Sequence, residues 1–214
     1  MKRSSKLRYV LLRKMLPAHD SMAGLAARAL VLLADLSMEK RGLRKDSAID
    51  ALDDFDQDYR LLMFFRSNLR TLYSARRLTK ALEASRAFRS WLGSATVEQK
   101  AIWSAGSKLL KRHAAEIDQG RNRMGAHAEE SIETAIRAVK GDVAGWLEFS
   151  DNEAKPRLAT EILLATLVSD LPSDEWLEAL HEKVAHFAEA TGAVLGMLQV
   201  AIILYVREHP PPWN

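Results

Sequence analysis

The chain has 214 residues, of which 48% are hydrophobic and 28% charged; its net charge is +3 and it has no cysteine. This length supports one well-buried domain, with or without a terminal appendage, and the apolar fraction excludes wholesale disorder. The lack of Cys excludes disulfides and thiolate chemistry and fits a reducing compartment. Abundant Ala, Leu, Arg and Glu with few β-branched residues predict an all-α protein.

Charge is unevenly spread. Residues 2–14 hold six Lys/Arg and no acid, and residues 60–89 hold eight against Glu83 alone. Acidic runs occur at Asp46–Asp58 and again from Asp170 to Glu182. The first reads as a solvated turn rather than a paired acid/base site. Basic faces suit a polyanion, although Arg and Lys also solvate ordinary helix surfaces. The histidines show no metal-ligand spacing. There is no His-Glu-x-x-His, His181 and His186 fall on different helix faces, and His113 has no companion in the sequence. No metal and no cofactor are expected, and these three histidines are assigned no chemistry. No phosphate loop, GxGxxG or GxSxG motif is found.

In chain order, residues 5–16 predict a short amphipathic helix ended by Pro17. The basic start does not read as a signal peptide, since its apolar stretch is broken by Arg13 and Lys14. Ser21 is the expected cap of a second helix with Leu25, Ala29, Leu32, Leu33 and Leu36 at helical spacing, closed by Gly42. Residues 1–45 are read as an amino-terminal helical extension and 46–214 as the main helical domain. A long helix is expected over 58–92, with Leu62, Phe65, Leu69, Leu72, Ala75, Leu78 and Leu82 on one face and Arg66, Arg70, Arg77 and Lys80 mostly off it.

Gly93 and Ser94 break that helix, and Thr96-Val97-Glu98-Gln99 reads as a capping box opening a second long helix over about 97–118. Its expected apolar side is Ala101, Ile102, Ala105, Leu109, Ala115 and Ile117. Residues 129–139 predict a third helix. Trp146–Ser150 alternates apolar and polar but is too short and isolated to predict a strand, and Pro156 opens a helix to Ser169. A helix capped near Leu171–Glu175 is expected to run to Thr191, with Gly192 separating it from an apolar helix over 193–208. The apolar run from Gly192 to Val206 is too short to span a bilayer comfortably, so a soluble, cytoplasmic protein with no membrane segment is expected. His209–Trp213 is read as an extended tail.

The stretch with most chemistry is Asp118-Gln119-Gly120-Arg121-Asn122-Arg123-Met124-Gly125-Ala126-His127. Gly120 and Gly125 are expected to end one helix and turn the chain into the next. That would present Arg121, Asn122 and His127 together at or near a helix N-terminus, where free N–H groups and a partial positive charge favour phosphate. A permanent cation, an amide and a group titrating near neutrality make a candidate phosphodiester site.

The spacing Arg121-Asn122-(x4)-His127 resembles the signature of the HEPN superfamily: Arg, a polar residue, and a His four to six residues after the Arg. The resemblance spans about residues 55–140. It implies a helical bundle built on two long antiparallel helices, here about 58–92 and 97–118, with additional packed helices, and a homodimer. It further implies metal-independent RNA cleavage to 2′,3′-cyclic phosphate ends. In that role His127 would be general acid or base, Arg121 would hold the scissile phosphate, and Asn122 would orient the phosphate or the His127 ring. Arg123, Arg70 and Arg77 are candidate RNA contacts. A toxin or defence role, with an antitoxin protein as partner, follows by analogy. Two alternatives stay open: a non-catalytic HEPN-like dimer that binds nucleotide or nucleic acid, and a helical protein-interaction scaffold in which Arg121 and His127 cap, pack or turn the chain.

Overall fold

Apolar spacing is what turns most of this chain into helix. The computed structural model describes residues 15–17, 19–42, 54–122, 148–149, 154–155 and 175–210. Within them lie α1 (Ser21–Gly42), α2 (Asp54–Ala84), α3 (Arg86–Gly93), α4 (Val97–Arg112), α5 (Ala114–Arg121) and α6 (Trp176–Glu208). Between α5 and α6, Glu148–Phe149 (β1) pairs antiparallel with Ala154–Lys155 (β2), in the register Glu148↔Lys155 and Phe149↔Ala154. The stretch around Trp146–Ser150, from which no strand was expected, thus contributes two residues to a minimal ladder. All but the last two residues of the helix expected over 5–16, the expected helices at 129–139 and 156–169, and residues 211–214 lie outside the described residues.

The protein is an all-α helical bundle. Side-chain pairs fix its directions. Glu39 meets Asn68 and Ser85 meets Met22, so α1 runs antiparallel to α2. Arg76 meets Ala114 and Asp118, and Glu83 meets Ser107 and Lys111, so α2 and the α4–α5 arm form the expected antiparallel pair. Thr191 meets Asn68 and Met197 meets Thr79, so α6 runs parallel to α2. The seven apolar residues expected on α2 are all buried. From α6, Leu180, Val194, Met197, Leu198 and Leu204 fill the centre of the same core, and α1 adds Ala29, Leu32 and Leu36.

Several local expectations give way to tertiary constraint. Asp20, not Ser21, caps α1: its carboxylate accepts the Met22 N–H at 2.8 Å, the distance-two bond typical of an Asx cap. The long helix expected over 58–92 is interrupted at Ser85, whose backbone is extended and whose hydroxyl accepts the Phe88 N–H, starting α3. Arg89 then donates to the freed carbonyls of Glu83 and Ala84. The Thr96–Gln99 capping box is formed, with both reciprocal bonds at 3.1 Å. The second long helix is split at His113, which ends α4 and starts α5.

The apolar side expected for this arm is largely wrong. Ala101, Ile102, Ala105 and Ala115 are exposed and Leu109 is half-buried; Ile117 alone is buried as expected, and Trp103, Gly106, Ser107 and Leu110 face the core. The reason is Gly106. A Cβ there would lie 2.6 Å from Met197 Cβ and 2.9 Å from the Ala193 carbonyl, so α4 and α6 touch backbone to backbone on the glycine side. Gly192 does not break α6, which is continuous over 33 residues. One helical glycine costs about 1 kcal/mol, and its neighbours Thr191 and Val194 are fully buried. By length and composition α1 and α6 are each able to cross a membrane; in α6 half of the most apolar window is buried within the bundle, in α1 a third.

Candidate polyanion-binding face

On α2 the residues left outside the core form a second stripe. Arg66, Arg70, Tyr73, Arg77 and Lys80 are spaced four, three, four and three apart, which stacks them on one face. Arg70, Arg77 and Lys80 are exposed, and Arg66 and Tyr73 are half-buried. From Arg60 to Lys80 the helix has no acidic residue. This stripe is therefore a row of cations with one aromatic ring in the middle, a composition suited to phosphates and to stacked bases.

The α5 helix brings one more cation to it. Arg121 is the last residue of α5, and its guanidinium carbon lies 4.8 Å from the Tyr73 ring centroid, a cation–π geometry. The same guanidinium donates to Asn122 Oδ1 at 3.1 Å. Arg76 approaches Tyr73 at 5.7 Å, but its charge is already matched: it donates to the Ala114 carbonyl at 2.9 Å and to Asp118 Oδ2 at 2.8 Å. Arg76 thus fixes α5 against α2, and that fixes Arg121 over Tyr73. A groove of about 330 Å³ between α2 and the α4–α5 arm continues from the stripe, lined among others by Arg76, Lys80, Glu83, Ser107 and Lys111. Glu83 accepts from Ser107 Oγ at 2.7 Å and pairs with Lys111 at 3.3 Å, which balances the charge of that end.

Arg70 and Arg77 therefore share a face with Arg121, and exposed Asn122 follows it as the residue capping the C-terminal end of α5. Arg123, His127 and Gly125 lie outside the described residues. One detail differs from the expectation for this stretch. Gly120 does not end the helix; it is buried inside α5, where a Cβ would come within 2.6 Å of Leu69 Cδ1. Arg121 itself closes α5, at a helix C-terminus whose partial charge is negative, and the helix N-terminus expected after it lies outside the described residues. Attraction for a phosphate there comes from the guanidinium and its neighbours on α2, not from an α5 dipole. Sequence reasoning missed Tyr73, although its place in the four–three spacing between Arg70 and Arg77 was there to be read.

Fold and face together define an all-α bundle with a cationic, aromatic-bearing surface on one long helix. No protein-family model, curated protein or solved structure matches the chain.

Proposed function

We propose that the protein is a HEPN-like, homodimeric RNA-binding protein that cleaves RNA without a catalytic metal through Arg121, Asn122 and His127. The observation that carries the reading is the convergence of Arg121 on Tyr73 within the stripe of Arg66, Arg70, Arg77 and Lys80. The motif that resembles the HEPN signature thus begins at the end of α5, against the cationic stripe of α2. A single RNA strand laid along the stripe would place phosphates on Arg70 and Arg77 and a base or ribose near Tyr73. Arg121 would then meet the next phosphate, where its rigid fork can hold two oxygens.

The chemistry is a transesterification. His127 takes the proton of a ribose 2′-hydroxyl, the 2′ oxygen attacks the adjacent phosphorus, and the bond to the 5′ oxygen breaks. The leaving oxygen takes a proton from the second histidine of the dimer, leaving a 2′,3′-cyclic phosphate. Arg121 stabilises the charge gained by the phosphoryl oxygens. On this reading the setting is cytoplasmic, with an antitoxin protein as candidate partner.

The test is cleavage of a mixed single-stranded RNA in EDTA by wild type, His127→Ala and Arg121→Ala, with circular dichroism in the same buffer establishing a folded chain. Cleavage that survives chelation and disappears in both variants is expected; equal cleavage by all three overturns the site. Binding is measured in parallel across salt. Each phosphate contact to a single strand contributes about 0.7 to the slope of log K against log salt. Arg70→Ala/Arg77→Ala should therefore lower the slope by about 1.4, and an unchanged slope removes α2 from the interface. Salt-dependent binding without cleavage by wild type would identify the non-catalytic module, which the Arg121–Tyr73 stack serves without any histidine.

A further inference from the structure

We propose that His113, Glu116 and His186 form a binding site for one divalent transition-metal ion of the zinc class. Folding brings together residues that are far apart in sequence: His113 and Glu116 from the α4–α5 corner, His186 from α6. Among the described residues their donor atoms all lie within 4.8 Å of one another. His113 Nδ1 is 3.2 Å from Glu116 Oε2. The His186 ring meets that of His113 at right angles, with centroids 4.4 Å apart. His113 is 3% exposed, and its Nε2 is buried with no hydrogen-bond partner.

Two features favour an ion over plain packing. Two donors on one tetrahedral zinc, each about 2.0–2.1 Å from it, stand roughly 3.3 Å apart, which the His113–Glu116 pair already meets. Finally, two imidazoles and one carboxylate are a borderline donor set that suits Zn²⁺, Co²⁺ or Ni²⁺ and disfavours Mg²⁺ or Ca²⁺, which prefer all-oxygen shells. Phe187, 4% exposed and 5.7 Å from the His113 ring, gives the site one dry wall. His186 and Glu116 are exposed, so each can turn its side chain to complete the coordination, with a fourth position left for water.

Such an ion would tie the α4–α5 corner to α6. Because α5 runs on from Glu116 to Arg121, occupancy would also stiffen the arm that carries Arg121. The site stands whether or not the protein cleaves RNA. The experiment uses the full chain stripped by chelator and dialysed, titrated with ZnCl₂ and separately with CoCl₂, whose visible absorption reports tetrahedral coordination. One ion per chain is expected, together with a rise in Tm of about 5–10 °C at a hundredfold excess over Kd, reversed by EDTA. Glu116→Gln and His186→Ala change surface side chains, so folding is preserved; each should weaken binding at least tenfold and remove most of the Tm rise. His181→Ala, on the same helix, should leave both unchanged. Stoichiometric binding that is equal in wild type and both ligand variants, or no zinc-dependent shift in Tm, overturns the assignment.

Discussion

Glu39 offers the sharpest test of how this bundle is held together. It sits in the last turn of α1, where a negative charge is disfavoured by the helix dipole, and it is 5% exposed. What retains it is a set of donors from α2: Ser67 Oγ at 2.7 Å, Thr71 Oγ1 at 2.7 Å and Asn68 Nδ2 at 3.0 Å. Asn68 in turn accepts from Thr191 of α6 at 3.0 Å, so one carboxylate links three helices. In Glu39→Ala, Ser67 is exposed and recovers water, and Thr71 keeps the Ser67 carbonyl at 3.2 Å. The fully buried Asn68 does not recover, and leaving its amide unpaired costs about 1–3 kcal/mol. With the vacated volume added, the loss is about 2–4 kcal/mol, or a fall in Tm on the order of 5–15 °C for a chain this long.

Glu39→Gln should behave differently. If the Asn68 amide turns over, its oxygen accepts from the new Gln amide and its nitrogen donates to Thr191 Oγ1, which can still donate to the Phe187 carbonyl at 2.7 Å. Every buried group is then paired, and the cost should stay under about 1 kcal/mol. Urea unfolding at pH 7 measures both variants. A change of less than about 0.5 kcal/mol in Glu39→Ala, or equal damage in the two variants, would refute the network as the reason a carboxylate is buried here.

Two further outcomes follow from individual contacts. Gly106→Ala brings a Cβ against Met197 and the Ala193 carbonyl, and should destabilise by about 1–3 kcal/mol despite its better helix propensity. Gly24→Ala, with nothing within 4 Å of the new Cβ, should stabilise by up to about 1 kcal/mol; denaturant midpoints moving in the same direction would contradict the close α4–α6 contact. Tyr205 donates to the Met15 carbonyl at 2.9 Å and to Asp20 Oδ2 at 3.1 Å. Burial first, then the Asp20 bond and charge, push its pKa up to about 12. The folded state therefore favours the neutral phenol, and that stability is complete below pH 10 and lost as pH rises toward 12. Tyr205→Phe should cost about 1 kcal/mol at pH 7 and show a smaller alkaline loss than wild type between those values; an identical loss in both would show that Tyr205 is not its source.

The sequence by itself determined the class of fold and most of one helix. The spacing from Leu62 to Leu82 could bury only as a helix face, and those residues are the core of α2. The Thr96–Gln99 box is equally local, its bonds spanning three residues, and it forms as the spacing implies. The Arg121–Asn122 pair was found for its chemistry, but its surroundings were not legible. Tertiary packing decided those, because they depend on which helix meets which. Gly120 was read as a helix end and Gly106 was assigned no role, yet both are points where helices touch; a glycine's value there lies in the atoms of the opposite helix. Gly192 lies within one continuous α6 for a related reason, since the burial of its neighbours outweighs a modest propensity cost. Tyr73 under Arg121, Glu39 among its donors, and His113 beside His186 each join residues from different helices. No periodicity along one strand of sequence carries such a pairing; it exists only once the antiparallel order of α1, α2 and α4–α5, with α6 parallel to α2, has been set by the burial of the core.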